Sequence, residues 1–347
     1  MSEKNNLLKL ILLLFYNFIV FLLFFEIFSY TSTQFNLLIF NETPVYNSTQ
    51  HKDGNDWRIK DPIIGGWHKP FAKDRHVTRC FDVEYRSNNI GARDDKIYDF
   101  KTFNNSIILI GDSYAEGIGV NLDKTFSKII EKNLKKNVIN LGVAGSDVKD
   151  HFKRFNKFVI NDNFSEIIYF FLPANDYIEV NKIDYDNQIQ LKDKKKSLPL
   201  PLILQGKIKE YLVYYTYSYN TLRSINFLFL NKDKTSNNSS YKYNNKKNID
   251  NTFGFIEKII QIKNKKKTLI LIPTRKDLQN NGQDKSYKNL YWYKQLTLLT
   301  KKNNTEIIDL YDFLDLNKQY KYFHNCDHHW SNFGNEFVAN IFQKIIK

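Results

Sequence analysis

Five short stretches of the 347-residue chain are apolar almost without a break: SIILI (106–110), NVINL (137–141), EIIYFFL (166–172), TLILI (268–272) and EIIDL (306–310). A strand that faces water on one side alternates apolar and polar residues. A continuous run needs cover on both faces. Amphipathic stretches at 125–136, 147–160, 253–264, 286–301 and 334–346 lie after the respective runs and predict the covering helices. The expectation is an α/β domain of three layers, doubly wound, with five parallel strands.

The rhythm holds only for part of the chain. Residues 7–30, LLKLILLLFYNFIVFLLFFEIFSY, form an apolar run long enough, at about 1.5 Å per residue, to cross a hydrocarbon core of about 30 Å. Lys9 and Glu26 sit near its ends, and no small-x-small cleavage pattern follows it, so a signal anchor is expected. Lys4 and Lys9 precede the apolar core, whereas no Lys or Arg falls between Leu10 and His51. By the positive-inside rule the N-terminus stays cytoplasmic and the remainder is exported, to the periplasm or the cell exterior.

The expected organisation is therefore a cytoplasmic stub (1–9), a span (10–29), a juxtamembrane segment (30–104) and an α/β domain (105–347) with an insertion at about 180–252. In that insertion, EYLVYYTYSYNTLRSINFLFL (210–230) is aromatic, and fits a helix on the domain, a lid or a membrane-facing surface. NKDKTSNNSSYKYNNKKN (231–248) is low in complexity and reads as a loop. The net charge of +14 is spread along the chain, and no nucleic-acid reading module accompanies it, so nucleic acid is not an expected partner. Cys80 and Cys326 are the only cysteines; outside the cytoplasm they could form one disulfide.

Chemistry-bearing residues gather at the ends of the apolar runs. Ser113 follows the first, in GDSY. Gly142 and Gly145 follow the second, in GVAG, where glycine leaves a backbone N–H unshielded. Asn175 follows the third, in PAND. After the last comes FHNCDHHWSNFGNE, where Asp327 and His329 stand two apart. In extended chain both would project to one side and His328 to the other. An aspartate there can hold an imidazole in one tautomer while its second nitrogen faces a serine. A metal site built from His324, Cys326, Asp327, His328 and His329 is the alternative for this cluster, but it lacks a second group at zinc-like spacing. No metal and no cofactor are expected.

Taken as a set, GDSY, GVAG, AND and DHHW resemble the blocks of the SGNH (GDSL-type) hydrolase superfamily, over about 106–177 and 268–347. Tyr114 replaces the family's leucine, Pro173 stands where glycine is frequent, and the Asp/His spacing is two rather than three. The shorter D-x-H-W-S form is similar to that of membrane-associated relatives that acetylate exported polysaccharides. NNIGAR (88–93) resembles a segment upstream of the serine block in anchored members, with no role attached to it. The resemblance implies a flavodoxin-like αβα fold and a Ser113–His329–Asp327 triad. It implies an oxyanion hole from the Ser113 and Gly145 N–H groups and the Asn175 amide. The implied function is ester hydrolysis on an acylated glycan or other small ester, with O-acyl transfer as the alternative and a non-catalytic glycan-binding module as a further one. The α/β-hydrolases present their serine in G-x-S-x-G, and position 115 is Ala, which sets them aside.

Overall fold

The computed structural model describes residues 2–35, 50–51, 57–77, 81–99, 105–159, 163–177, 204–205, 208–209, 211–212, 216–230, 239–281, 284–325 and 327–346. It contains two compact units, one of residues 1–48 with 186–236 and one of 49–185 with 237–347.

In chain order the elements begin with α1 (Ser2–Gln34). Five strands follow: β1 (Gln50–His51), β2 (Arg58–Asp61), β3 (Gly65–His68), β4 (Lys73–Val77) and β5 (Asp82–Arg86). The α/β rhythm then starts with β6 (Ser106–Ile110), α2 (Ser113–Glu116), α3 (Phe126–Leu134), β7 (Val138–Asn140), α4 (Val148–Phe158), β8 (Phe164–Phe171) and α5 (Pro173–Asp176). After α6 (Tyr217–Leu230) come α7 (Lys246–Ile260), β9 (Lys266–Leu271), α8 (Arg275–Asn281), α9 (Tyr291–Lys302), β10 (Glu306–Asp309), α10 (Gln319–Tyr322) and α11 (Asn332–Ile346).

In the larger unit, the order β10-β9-β8-β6-β7 forms one parallel sheet. Counted from β6 as the first strand, this is the 2-1-3-4-5 order of flavodoxin-like sheets, whose switch point lies between the first and third strands. Here those are β6 and β8. Every residue of β6 is buried, as are all but one of β8, which is why both lack polar alternation. Helices α3 and α11 pack together, and α7 contacts α4 and α9, completing the outer layers.

The upstream segment divides between the main core and a second cluster of Trp57, Phe81, Val83, Tyr85 and Ile118. The β2–β3 hairpin is antiparallel, and β1, β4 and β5 form a second small sheet. Ile64, Trp67, Ala92 and Tyr98 enter the same buried cluster as the parallel strands.

Four local expectations shift. Helix α7 begins at Lys246 rather than near 253, because the Asn245 side chain accepts the Asn248 N–H and starts it earlier. The end of the expected loop 231–248 is ordered instead. Ser239 and Ser240 donate to Asp277 at 2.6 and 2.9 Å, and Tyr241 is buried against Tyr287 and Trp292. Residues 231–238 lie outside the described residues. Helix α9 starts at Tyr291 after a 3-10 turn at Ser286–Asn289, and α8 had no clear periodic signal.

Candidate active site

The carboxyl ends of β6 and β8 carry Ser113 and Asn175, beside the switch point where such sheets bind ligands. Asp112 caps α2: its Oδ1 accepts the Tyr114 N–H at 3.0 Å. Its Oδ2 accepts the Asn175 amide at 3.2 Å, tying the first and third strand ends together. Burial pushes the Asp112 carboxyl above its ordinary range, partly offset by these donors. Ser113 opens α2 and is 7% exposed.

Gly145 adopts φ +74°, a left-handed conformation that suits glycine, and no atom stands within 4 Å of where a Cβ would be. The residue itself is exposed. Gly142 differs: a Cβ there would come within 2.5 Å of Ala115 and of the Glu116 nitrogen, so glycine lets the two turns approach. Asn175 is exposed on α5. One of its two amide hydrogens goes to Asp112, leaving the other as the donor available to a ligand.

Asp327 accepts from both the His329 main-chain N–H, at 2.7 Å, and the ring Nδ1. The remaining ring nitrogen, Nε2, is therefore the acceptor in the neutral form. Burial works against both charges, but the attraction between the two groups outweighs it. Asp327 is held well below the usual carboxylate range and His329 is raised. The loop is bent rather than extended: the Asp327 N–H donates to the His324 carbonyl, and the His328 and His329 rings lie 4.7 Å apart. The expected opposite orientation of His328 is therefore replaced by a turn that still pairs Asp327 with His329.

Tyr114 joins this loop to the Ser113 turn. Its hydroxyl donates to the His328 carbonyl at 2.7 Å, and its ring lies 5.4 Å from that of His329 and 4.8 Å from that of Trp330. Residues 113 and 329 are thus brought to neighbouring turns. Among the described residues no hydrogen bond links the Ser113 hydroxyl to His329. Cys80 and Cys326 lie outside the described residues. Asp327, His328 and His329 offer ligand atoms within 4.8 Å of one another, but Asp327 and His329 are already committed to each other.

Several site residues carry no local signal. Glu116, one turn after Ser113, is fully buried, and its Oε2 accepts the Ala144 N–H at 2.5 Å. Arg58 of β2 stands 3.5 Å from Oε2, and His68 of β3 stands 3.4 Å from Oε1. Burial raises the Glu116 pKa, yet Arg58, His68 and the Ala144 N–H more than reverse it, so the carboxyl is held far below its ordinary value. Arg58 also donates to the Ala144 carbonyl at 3.4 Å. In a trans peptide the C=O and N–H point oppositely, so this contact directs the Gly145 N–H to the other side.

NNIGAR now has a place. Asn88 Oδ1 accepts the Ile90 and Ala92 N–H groups, and Gly91 (φ +87°) passes so close to His68 that a Cβ would meet its carbonyl at 2.2 Å. That turn delivers Arg93, whose guanidinium binds the carbonyls of Glu116, Gly117 and Val120. Three carbonyls at the end of α2 are held by one buried cation lying 4.1 Å over the Tyr85 ring. The sequence hint was the resemblance of NNIGAR to a segment upstream of the serine block, which carried no role for Arg93.

No family model and no curated protein matches the chain. Similar folds occur among solved structures. A lipase/acylhydrolase from Enterococcus faecalis is 17% identical, over 70% of this chain and 95% of that one, at a TM-score of 0.41. A member of the lipolytic protein G-D-S-L family from Veillonella parvula is 15% identical, over 69% and 97%, at 0.37. An acetylxylan esterase from Geobacillus stearothermophilus is 14% identical, over 70% and 94%, at 0.37.

Proposed function

We propose that this chain is a membrane-anchored SGNH-type serine esterase, exported from the cytoplasm, that removes O-acyl groups, acetyl above all, from a cell-surface glycan. One observation carries the reading: the His329–Asp327 pair packs through Tyr114 against the turn that bears Ser113. The apolar span Asn6–Ser32 is the anchor, oriented by Lys4 and Lys9 at its cytoplasmic side.

In this reading Ser113 Oγ attacks the ester carbonyl as His329 Nε2 takes its proton. Asp327 holds the ring and stabilises the imidazolium. The N–H groups of Ser113 and Gly145 and the second amide hydrogen of Asn175 receive the oxyanion. Each such donor contributes about 3 kcal/mol of transition-state stabilisation. The alkoxide of the leaving sugar takes the proton back from His329, and water repeats the sequence to release acetate. The D-x-H spacing favours a variant in which a glycan hydroxyl replaces that water and receives the acyl group.

The test uses full-length protein in detergent with p-nitrophenyl acetate and an acetylated xylo-oligosaccharide. Turnover is expected, together with its loss in Ser113→Ala. Undiminished activity of Ser113→Ala would refute the assignment. Label from a radiolabelled acetyl donor is expected as free acetate, and label on an added sugar acceptor would establish transfer instead.

A further inference from the structure

The smaller unit poses a problem that the esterase reading leaves unused. Helix α1 contains the 27-residue apolar span Asn6–Ser32, whose most apolar 18-residue stretch has a mean hydropathy of 2.6, yet Glu26 lies inside it. Glu26 stands six positions before Ser32, about 9 Å along a helix. An ionised carboxylate at that depth is costly unless it is partnered.

Its partners come from the insertion. Glu26 Oε1 accepts the Tyr217 N–H at 2.6 Å and Oε2 accepts the Ser218 N–H at 2.8 Å, so both oxygens bind the first turn of α6. Those N–H groups have no acceptor within their own helix, so each side satisfies the other. The Tyr30 and Tyr217 rings meet edge to face at 5.0 Å. Ser29 and Ser32 on α1, and Asn220 and Thr221 on α6, are buried, and the two helices are in contact. Phe21, Phe24 and Phe28 of α1 and Leu222 of α6 are exposed, as is Asn226 one turn beyond Leu222.

We infer that α6 is a second membrane-embedded element, seated on the span through Glu26, so that the anchor is a two-helix unit bathed in lipid. The depth of Glu26 sets the depth of the α6 N-terminus, and lipid chains that cover the exposed face of α1 continue over Leu222. Of the three roles open to the aromatic stretch 210–230, this selects the membrane-facing one. The inference rests on the anchoring part of the proposed function and not on its chemistry.

The test reconstitutes full-length protein into phosphatidylethanolamine/phosphatidylglycerol vesicles and treats it with a membrane-impermeant maleimide, mapping labelled peptides by mass spectrometry. Leu222→Cys is compared with Asp123→Cys. Leu222 is 54% exposed in the fold, and the Asp123 side chain is 71% exposed. Protection at 222 must therefore come from lipid. Labelling of Leu222→Cys at least 10-fold slower than Asp123→Cys is expected, with the difference abolished in denaturing detergent. Adding Glu26→Ala should restore fast labelling at 222 while the protein still floats with the vesicles. Equal rates in floating vesicles would overturn the second element and leave the anchor standing. Wild-type protein that fails to float would overturn both.

Discussion

The two halves of the candidate site are held in contrasting ways. The Ser113 turn and the Gly145 loop are fixed from outside the parallel sheet, by polar side chains on upstream elements. Arg93 binds the carbonyls that end α2, and Arg58 and His68 flank the Glu116 carboxylate. The Asp327–His329 loop is fixed mainly by residues of the α/β framework. Arg275 donates to the His324 and Asn325 carbonyls, the His324 N–H donates to the His329 carbonyl, and Tyr114 reaches His328. The difference teaches that Arg58, His68 and Arg93 are structural parts of the candidate site, while the Asp327–His329 loop rests mainly on the α/β framework.

Four measurements would break or sharpen that contrast. The largest effect belongs to Asp327→Asn. It keeps the loop but no longer holds a charged partner for His329, and kcat for an activated acetyl ester should fall about 10³–10⁴-fold. A loss below 10-fold would remove Asp327 from the proton relay.

Next is Glu116→Gln, which leaves an acceptor for the Ala144 N–H but removes the charge facing Arg58 and His68. Measured per active site titrated with a fluorophosphonate, kcat should fall about 10-fold, equivalent to about 1.4 kcal/mol, with KM little changed. An unchanged kcat per titrated site, with only a lower Tm, would make Glu116 purely structural.

The pH dependence follows from His329. It must be neutral to take the serine proton, so activity should rise with pH as His329 loses its own. Burial lowers its pKa, Asp327 raises it, and the net direction is upward, which places the ascending midpoint above the ordinary 6.5. Asp327→Asn should move that midpoint to lower pH. A midpoint independent of residue 327 would detach the limb from this pair.

The smallest effect is expected from Tyr114→Phe, which deletes one hydrogen bond to the His328 carbonyl at 2.7 Å. Stability should fall by about 1 kcal/mol and kcat by a few-fold, read by denaturant melts and ester assays. If kcat instead falls as far as in Asp327→Asn, the acid–base loop depends on the nucleophile turn far more than the contrast allows.

Much of this molecule was legible in its chain because the relevant forces act locally or repeat along it. The five parallel strands announce themselves as apolar runs, since a strand covered on both faces has little room for polar residues, and Lys266 and Glu306 fall at exposed strand starts. Asp327 and His329 are two residues apart, so their pairing needs only a tight loop. Boundaries were less legible. The start of α7 and the ordered turn at Ser239–Lys242 depend on an Asn cap and on Asp277, neither of which changes hydrophobic periodicity.

The sequence by itself determined the strand framework, the apolar span and the residue types at the strand ends. Only the tertiary structure decided that Arg93 binds the end of α2, that Glu116 reaches the Gly145 loop, and that Glu26 meets α6. The physical reason is that hydrophobic pattern is carried by neighbours along the chain. The partner of a buried charge is chosen by whatever folding brings within about 3 Å, and here those partners lie 23 to 192 positions away.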